Sequence, residues 1–216
     1  MNRAWTTLLK MLYKDEGNRL HVVKGEKYVT SPGGITYSNN KDAKIFQYYN
    51  SLRRDINVEN IRYTDKHLLD ILNNMADKKI VFNLVHEDYD RLFKRDGIDV
   101  NLFHPEIVNT AITIYVNAHT NRLWKTIQNT AIQMNRLFPG VIKKEYLSTA
   151  DGVYGFKTMM TLKTVNSFNK DKAVLFRTLM INNMKTFYIR LSTSNPDRYG
   201  VYLKGWDNRM NRLITS

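Results

Sequence analysis

Apolar positions recur at helical spacing over most of this chain. Trp5, Leu8, Leu9, Leu12 and Tyr13 fall on one helical face, and Gly17 is a natural stop after them. Residues 18 to 42 break the pattern: Gly25, Pro32, Gly33 and Gly34, with Ser31, Asn39 and Asn40, indicate loops or short strands. Helical periodicity returns in "AKIFQYYNSLRRDI", in "TDKHLLDILNNMA" with Thr64 placed as N-cap, and in "IVFNLVHEDYDRLFKR". A break at "DGIDVNLFHP" follows. Beyond it, "PEIVNTAITIYVNAH" and "TNRLWKTIQNTAIQMNRLF" read as adjacent helices with Thr120 as a cap between them. "PGVIKKEYLSTADGVYG" has turn chemistry, "FKTMMTLKTVNSF" and "KDKAVLFRTLMINNMKTFYIRLSTS" are helical, and a last segment surrounds "GWDNRMNRLI". The pattern predicts a mainly α chain, a helical bundle with a small irregular or β patch near residues 20–40. No internal repeat and no low-complexity linker interrupts it.

Composition narrows the picture. With 216 residues, 43% of them hydrophobic, the chain can bury a real core, so global disorder is excluded. There is no cysteine, which removes disulfides, thiolate metal sites and cysteine nucleophiles together and suits a reducing cytoplasm. Lys and Arg number 33 against 20 Asp and Glu, a formal charge of +13, and so large a surplus points to a polyanionic partner. No apolar run approaches the ~18 residues of a membrane span, so no transmembrane segment is expected. The start, "MNRAWTTLLKMLYKDEG", lacks the apolar block and cleavage site of a secretory signal.

Several chemistries can be set aside. The five histidines (His21, His67, His86, His104, His119) show no HExxH or other close ligand spacing, so neither a metal nor any other cofactor is expected. There is no G-x-S-x-G nucleophile elbow. In "GVYGFKT", Phe156 separates Gly155 from Lys157 and no apolar strand precedes it, so it reads as a turn into a helix and not a phosphate loop. Thirteen tyrosines and three tryptophans among many cations could suit nucleic acid, but no helix-turn-helix or RNP-type signature accompanies them, and aromatic rings stack equally well on sugars. No nucleic-acid partner is expected.

One placement stands out. Asp15 and Glu16 close the first predicted helix, where unpaired carbonyls carry partial negative charge and favour cations. An adverse dipole, a neighbouring carboxylate and apolar surroundings all push a carboxyl toward its neutral form, and a neutral carboxylic acid can donate a proton near neutral pH. Gly17 would let the chain turn sharply without a side chain obstructing the site.

Five segments then occur in order: "EGN" (Glu16–Asn18), "SPGGITY" (Ser31–Tyr37), "YVNAH…IQ" with Asn117 and Gln128, "DGVYGFKT" (Asp151–Thr158) and "FYIRL…YLKGWDNRMNRL" (Phe187–Leu213). Through these the chain resembles the glycosyl hydrolase 108 family, phage- and bacteria-derived N-acetylmuramidases with a lysozyme-like fold and a helical peptidoglycan-binding C-terminal half. Asn18 stands where that family has a second Gly, Ser31 where it usually has Asp, and residues 40–103 are longer than its usual middle.

The resemblance implies a lysozyme-like catalytic part over residues 1–103 and a peptidoglycan-binding part over 104–216. It implies an endolysin that hydrolyses the β-1,4 bond between N-acetylmuramic acid and N-acetylglucosamine, with Glu16 as general acid. Glu26, between Glu16 and the "SPGG" turn, is the best local candidate for a second carboxylate. Ser31, Thr36, Tyr37, Asn117, Asp151 and Gly152 are the residues implied to meet the glycan, with Arg209 helping to frame it. The partners implied are peptidoglycan strands and the anionic envelope, reached from the host cytoplasm through a separate pore-forming factor, by a monomer. From residue 185 onward, six basic residues (Lys185, Arg190, Arg198, Lys204, Arg209, Arg212) against Asp197 and Asp207 leave a local charge of +4 that would favour such a surface. Two alternatives stay open: a lytic transglycosylase acting on the same bond, and a non-catalytic basic protein that binds envelope or nucleic acid.

Overall fold

Apolar residues at helical spacing fold here as helices, several of them started by a specific side-chain cap. The computed structural model describes residues 10, 12–13, 17–23 and 27–215. The chain divides into two compact units, Met1–Ile98 and Asp99–Ser216. The architecture is mainly helical with a small antiparallel two-stranded sheet, as the periodicity predicts.

In the first unit Lys10, Leu12 and Tyr13 are helical. Strands β1 (His21–Val22) and β2 (Val29–Thr30) pair antiparallel, with His21 opposite Thr30 and Val22 opposite Val29. Thr30 also bridges Thr36 across the "SPGG" turn. Three helices follow: α1 (Lys44–Asp55), α2 (Lys66–Met75) and α3 (Lys78–Arg95). The cap of α2 is Asp65, whose side chain accepts the Leu68 N–H; Thr64, the expected cap, stands one residue too early. Asp77 caps α3 by accepting from Lys79 and Ile80. The start of α1 is capped from outside, by buried Asp88 of α3, which takes the Lys44 and Ile45 N–H groups at 2.9 Å each. Ile45, Phe46, Tyr49, Leu72, Val81 and Val85 form the buried core between these helices. The sheet segment is tied down by Asn73 of α2, which accepts from Leu20 N and donates to Leu20 O, both at 2.8 Å.

The second unit holds α4 (Pro105–Leu137), α5 (Phe156–Asn166), α6 (Lys170–Ser194), the short α7 (Pro196–Tyr199) and α8 (Leu203–Thr215). Pro105 opens α4 where its missing N–H costs nothing, and the His104 side chain accepts from Glu106 N. Helix α4 is not regular throughout: His119 has φ 64° and ψ 172°, so the ladder breaks at the junction where two adjacent helices were expected. That conformation is almost confined to glycine, so His119 carries local strain of about 1–3 kcal/mol. Helices α4 and α6 pack along much of their length through Ile107, Ile114, Ile127, Met134, Phe176, Met180 and Met184, all fully buried. An amide pair bridges the two helices: Gln133 Nε2 donates to Asn183 Oδ1 at 3.1 Å, and Asn183 Nδ2 donates to Gln133 Oε1 at 3.1 Å and Thr130 Oγ1 at 3.0 Å. Between α4 and α5 the chain is the expected loop, with a single 3-10 turn at Lys144–Tyr146. Among the described residues no helix is long and apolar enough to cross a membrane.

Candidate functional site

The two carboxylates singled out by sequence, Glu16 and Glu26, lie outside the described residues. The residue after Glu16 does not. Gly17 sits at φ +90°, and its carbonyl accepts the Gly33 N–H at 2.9 Å. The "EGN" and "SPGG" segments, separate in sequence, are therefore joined backbone to backbone.

The "SPGG" turn is itself rigid. Ser31 N donates to Ile35 O at 2.8 Å and Gly34 N to Ser31 O at 3.1 Å. Gly33, at φ +76°, leaves no room for a side chain, since a Cβ there would stand 2.9 Å from Val85 Cγ1. The buried Tyr89 hydroxyl donates to Gly33 O at 2.6 Å, fastening the turn to α3. Ser31, expected to meet substrate, is fully buried and its hydroxyl donates to Pro32 O at 2.9 Å. It shapes the turn and presents no free hydroxyl. Thr36 is half-buried, its carbonyl taking the Asn40 side-chain amide at 3.1 Å. Tyr37 is also half-buried, stacked on Tyr63 at 5.3 Å and edge-on to Phe46 at 5.0 Å. Of the three residues read from this segment, Thr36 and Tyr37 are the ones with surface to offer.

In the second unit the structure assembles a different cluster. Gly152, buried at φ +80°, donates its N–H to Gln128 Oε1 at 2.9 Å. Gln128 Nε2 is shared among Asp151 Oδ1 (2.9 Å), Val153 O (3.0 Å) and Thr158 Oγ1 (3.1 Å). Asn121 Nδ2 reaches Asp151 O at 3.4 Å and Gly152 O at 3.3 Å. The "DGVYG" turn is thus held from beneath by two amide side chains of α4. Asp151 Oδ1 also accepts the Val153 N–H at 2.8 Å. That bond, and then the one from Gln128, hold the exposed Asp151 carboxyl below the usual carboxylate range. Tyr154 packs on Trp124 at 4.7 Å, and Trp124 stacks on Phe103 at 6.2 Å, while Val153 and Phe156 project outward, 61% and 68% exposed.

Asn117 does not join this cluster by hydrogen bonding. Its side chain is half-buried and donates to Thr113 O, one turn back along α4, at 2.8 Å. Sequence reasoning passed over Asn121 as a turn-holding residue. The signal was there: Asn121 and Gln128 lie two helical turns apart and so share a face of α4.

At the C-terminal end Trp206 of α8 stacks on Tyr188 of α6 at 4.5 Å, and Tyr202 flanks the same indole at 5.7 Å. Arg209 is half-buried. Lys185, one of the six basic residues counted above, pairs with Asp207 at 3.4 Å and bonds Asn211, so it contributes less to the open basic surface than Arg198 and Lys204 do.

Chemically, the first unit offers a rigid glycine-rich turn bonded to the Gly17 carbonyl, and the second a rigid polar turn with apolar groups displayed upon it. Among the described residues no group of three or more His, Asp or Glu is placed to hold a metal ion. Compared with family models, curated proteins and solved structures, the chain matches none.

Proposed function

We propose that this protein is a peptidoglycan-degrading N-acetylmuramidase of the phage endolysin type, hydrolysing the β-1,4 bond between N-acetylmuramic acid and N-acetylglucosamine. The observation that carries the reading is the Gly17–Gly33 hydrogen bond, which anchors the residue following Glu16 to the turn that recurs with it in muramidases. Glycoside cleavage needs a proton on the leaving oxygen and stabilisation of an oxocarbenium-like sugar. Glu16 supplies the proton as general acid. Glu26 is the candidate for the second carboxylate, because Ser31 stands where muramidases of this kind carry Asp and its hydroxyl is spent on Pro32 O. Thr36 and Tyr37 border the sugar path, and the Asp151–Gly152 turn binds the glycan further along the strand. Peptidoglycan strands and the anionic envelope are the partners, met by a monomer made in the host cytoplasm and released by a separate pore-forming factor.

The test is incubation with purified peptidoglycan and mass analysis of the fragments. Glu16→Gln keeps the shape of the side chain but cannot protonate the leaving group. General acid–base groups contribute about 10²–10⁴-fold in rate, so this variant should lose at least about a hundredfold. Retention of more than about a tenth of wild-type activity, set against that magnitude, would remove Glu16 from the role. Reducing-end products mark hydrolysis; anhydro products would reassign the protein as a lytic transglycosylase.

A further inference from the structure

Helix α4 changes direction at a single residue, His119. Arg122 lies over the Phe187 ring at 3.6 Å and Gln133 bonds Asn183, so the half after His119 runs antiparallel to α6. Continued straight, the half before it would carry Glu106 about 24 Å beyond Arg122, away from Arg177. Glu106 instead meets Arg177 at 3.4 Å, and Phe103 stacks on Trp124 at 6.2 Å. The chain therefore turns back on itself at His119.

Nothing local asks for that reversal. No Gly or Pro stands between Pro105 and Pro139, and helix reaches His119 from both sides. The His119 side chain is exposed, so its φ of 64° is not imposed by packing of its own ring. The contacts that impose it join the segment before the hinge to the helices after it. That segment is also imperfectly satisfied where it lies. Among the described residues, the Thr110 and Thr113 hydroxyls are buried without a hydrogen-bond partner, as is Nε of Arg177. Lifting the segment gives these groups water to bond, which offsets part of the cost of opening.

We propose that the chain exchanges this segment with a second copy of itself. In the exchanged dimer His119 takes helical φ and ψ, α4 becomes one continuous helix, and each copy's residues ahead of the hinge pack against the other's α6. The contacts of the seam are kept, because the two copies are identical; only the hinge differs. Each dimer relieves two strained hinges, and short hinges under strain invite exchange for that reason. The exchanged form stands beside the monomer and does not depend on the muramidase reading.

The experiment refolds the full chain at high concentration, dilutes it and sizes it by light scattering. Wild type should give a dimer that persists on dilution. His119→Gly accepts positive φ and disfavours a helix interior, so it should lower the dimer fraction at least about tenfold. His119→Ala favours the straight helix and still resists the turn, so it should raise that fraction at least about threefold. A charge exchange separates swapping from side-by-side association. Chains carrying Glu106→Arg or Arg177→Glu each place like charges across the seam when alone. Refolded together, they regain opposite charges at both seams only if the segments cross over, and should form at least about fivefold more dimer than either alone. Absence of a wild-type dimer, a glycine variant that dimerises like wild type, or no complementation between charge variants that keep their helical circular dichroism would each overturn the proposal. The two histidine variants leave Glu106 and Arg177 intact, so they decide the matter even where a charge variant does not fold.

Discussion

The buried amide of Gln128 and the backbone of Gly152 meet at 2.9 Å, the glycine N–H donating to Oε1. The same side chain donates from its nitrogen to three acceptors, so one residue satisfies most of the inward-facing groups of the "DGVYG" turn. A loop that would otherwise rely on its own short-range bonds is fixed to α4 chiefly through this amide, with Asn121 adding longer contacts to the Asp151 and Gly152 carbonyls.

Replacing Gln128 with Leu should therefore destabilise the protein by about 2–4 kcal/mol, because the Gly152 N–H and its neighbours are left buried and unpaired at roughly 1–3 kcal/mol each. Urea denaturation measures this as a lowered midpoint at unchanged slope. A loss below about 0.5 kcal/mol would mean that water replaces the amide at little cost.

Gly152→Ala should cost more than a helix-end glycine replacement elsewhere. Its φ is +80°, and a Cβ would lie 2.4 Å from Asn121 Nδ2 and 2.7 Å from the Asn121 carbonyl oxygen. Strain and overpacking together predict about 2–4 kcal/mol. Gly97 provides the comparison: it also has positive φ, +67°, but nothing within 4 Å of a Cβ, so Gly97→Ala should cost only about 1 kcal/mol. Thermal unfolding of the two variants side by side decides it, and equal shifts would show that the Asn121 contact yields freely.

Acid should reveal two carboxylates of opposite sign. The Asp151 pKa is lowered in the folded state, by the Val153 N–H and then by Gln128. Its stabilisation is complete above the unfolded value of about 3.9 and is lost as pH falls through the folded pKa. Below about pH 4 the wild type should lose stability faster than Asp151→Asn, and parallel curves would refute the linkage. The Asp88 pKa is raised, since burial outweighs its two backbone donors. Its contribution is complete below about pH 3.9 and declines as pH rises through the folded pKa, a decline that Asp88→Asn should abolish.

Attraction to cell walls should depend on Arg198 and Lys204, which are exposed. Changing both to Ser should reduce sedimentation with purified walls at low salt. At physiological salt, where screening sets in beyond about 8 Å, the difference should shrink. Lys185→Ser, which removes a cation already paired with Asp207, should have the smaller effect. Wall binding by the double variant equal to that of wild type at low salt would place the attraction elsewhere.

Helix positions were legible because burial leaves a periodic trace: α1, α3, α5 and α6 all lie where the apolar spacing puts them. The break between the two halves of α4 was legible too, although the residue that makes it is His119 and not a capping threonine. Cap choice was less so, since Thr64 and Asp65 are both good N-caps and only the Leu68 N–H shows which is used. The outside cap of α1 by Asp88 leaves no local trace at all, because donor and acceptor are remote in sequence. Ser31 misled for a related reason. A hydroxyl in a glycine-rich turn looks available until its own turn is seen to consume it. The carboxylates named for the proposed chemistry, Glu16 and Glu26, were legible by their places in the sequence, one just before Gly17 and the other between it and the "SPGG" turn.

The reciprocal amide pair of Gln133 and Asn183 has a consequence for how α4 and α6 find one another. Much of the rest of their contact is built from Ile, Met and Phe side chains, which by themselves would tolerate sliding by one turn, about 5.4 Å, with modest repacking; the Arg177–Glu106 pair at 3.4 Å adds a second polar check near one end. A slip of that length would strand both amides and the Thr130 hydroxyl at once. The pair therefore acts as a vernier: grease lets the two rods approach in many alignments, and three hydrogen bonds accept a single one.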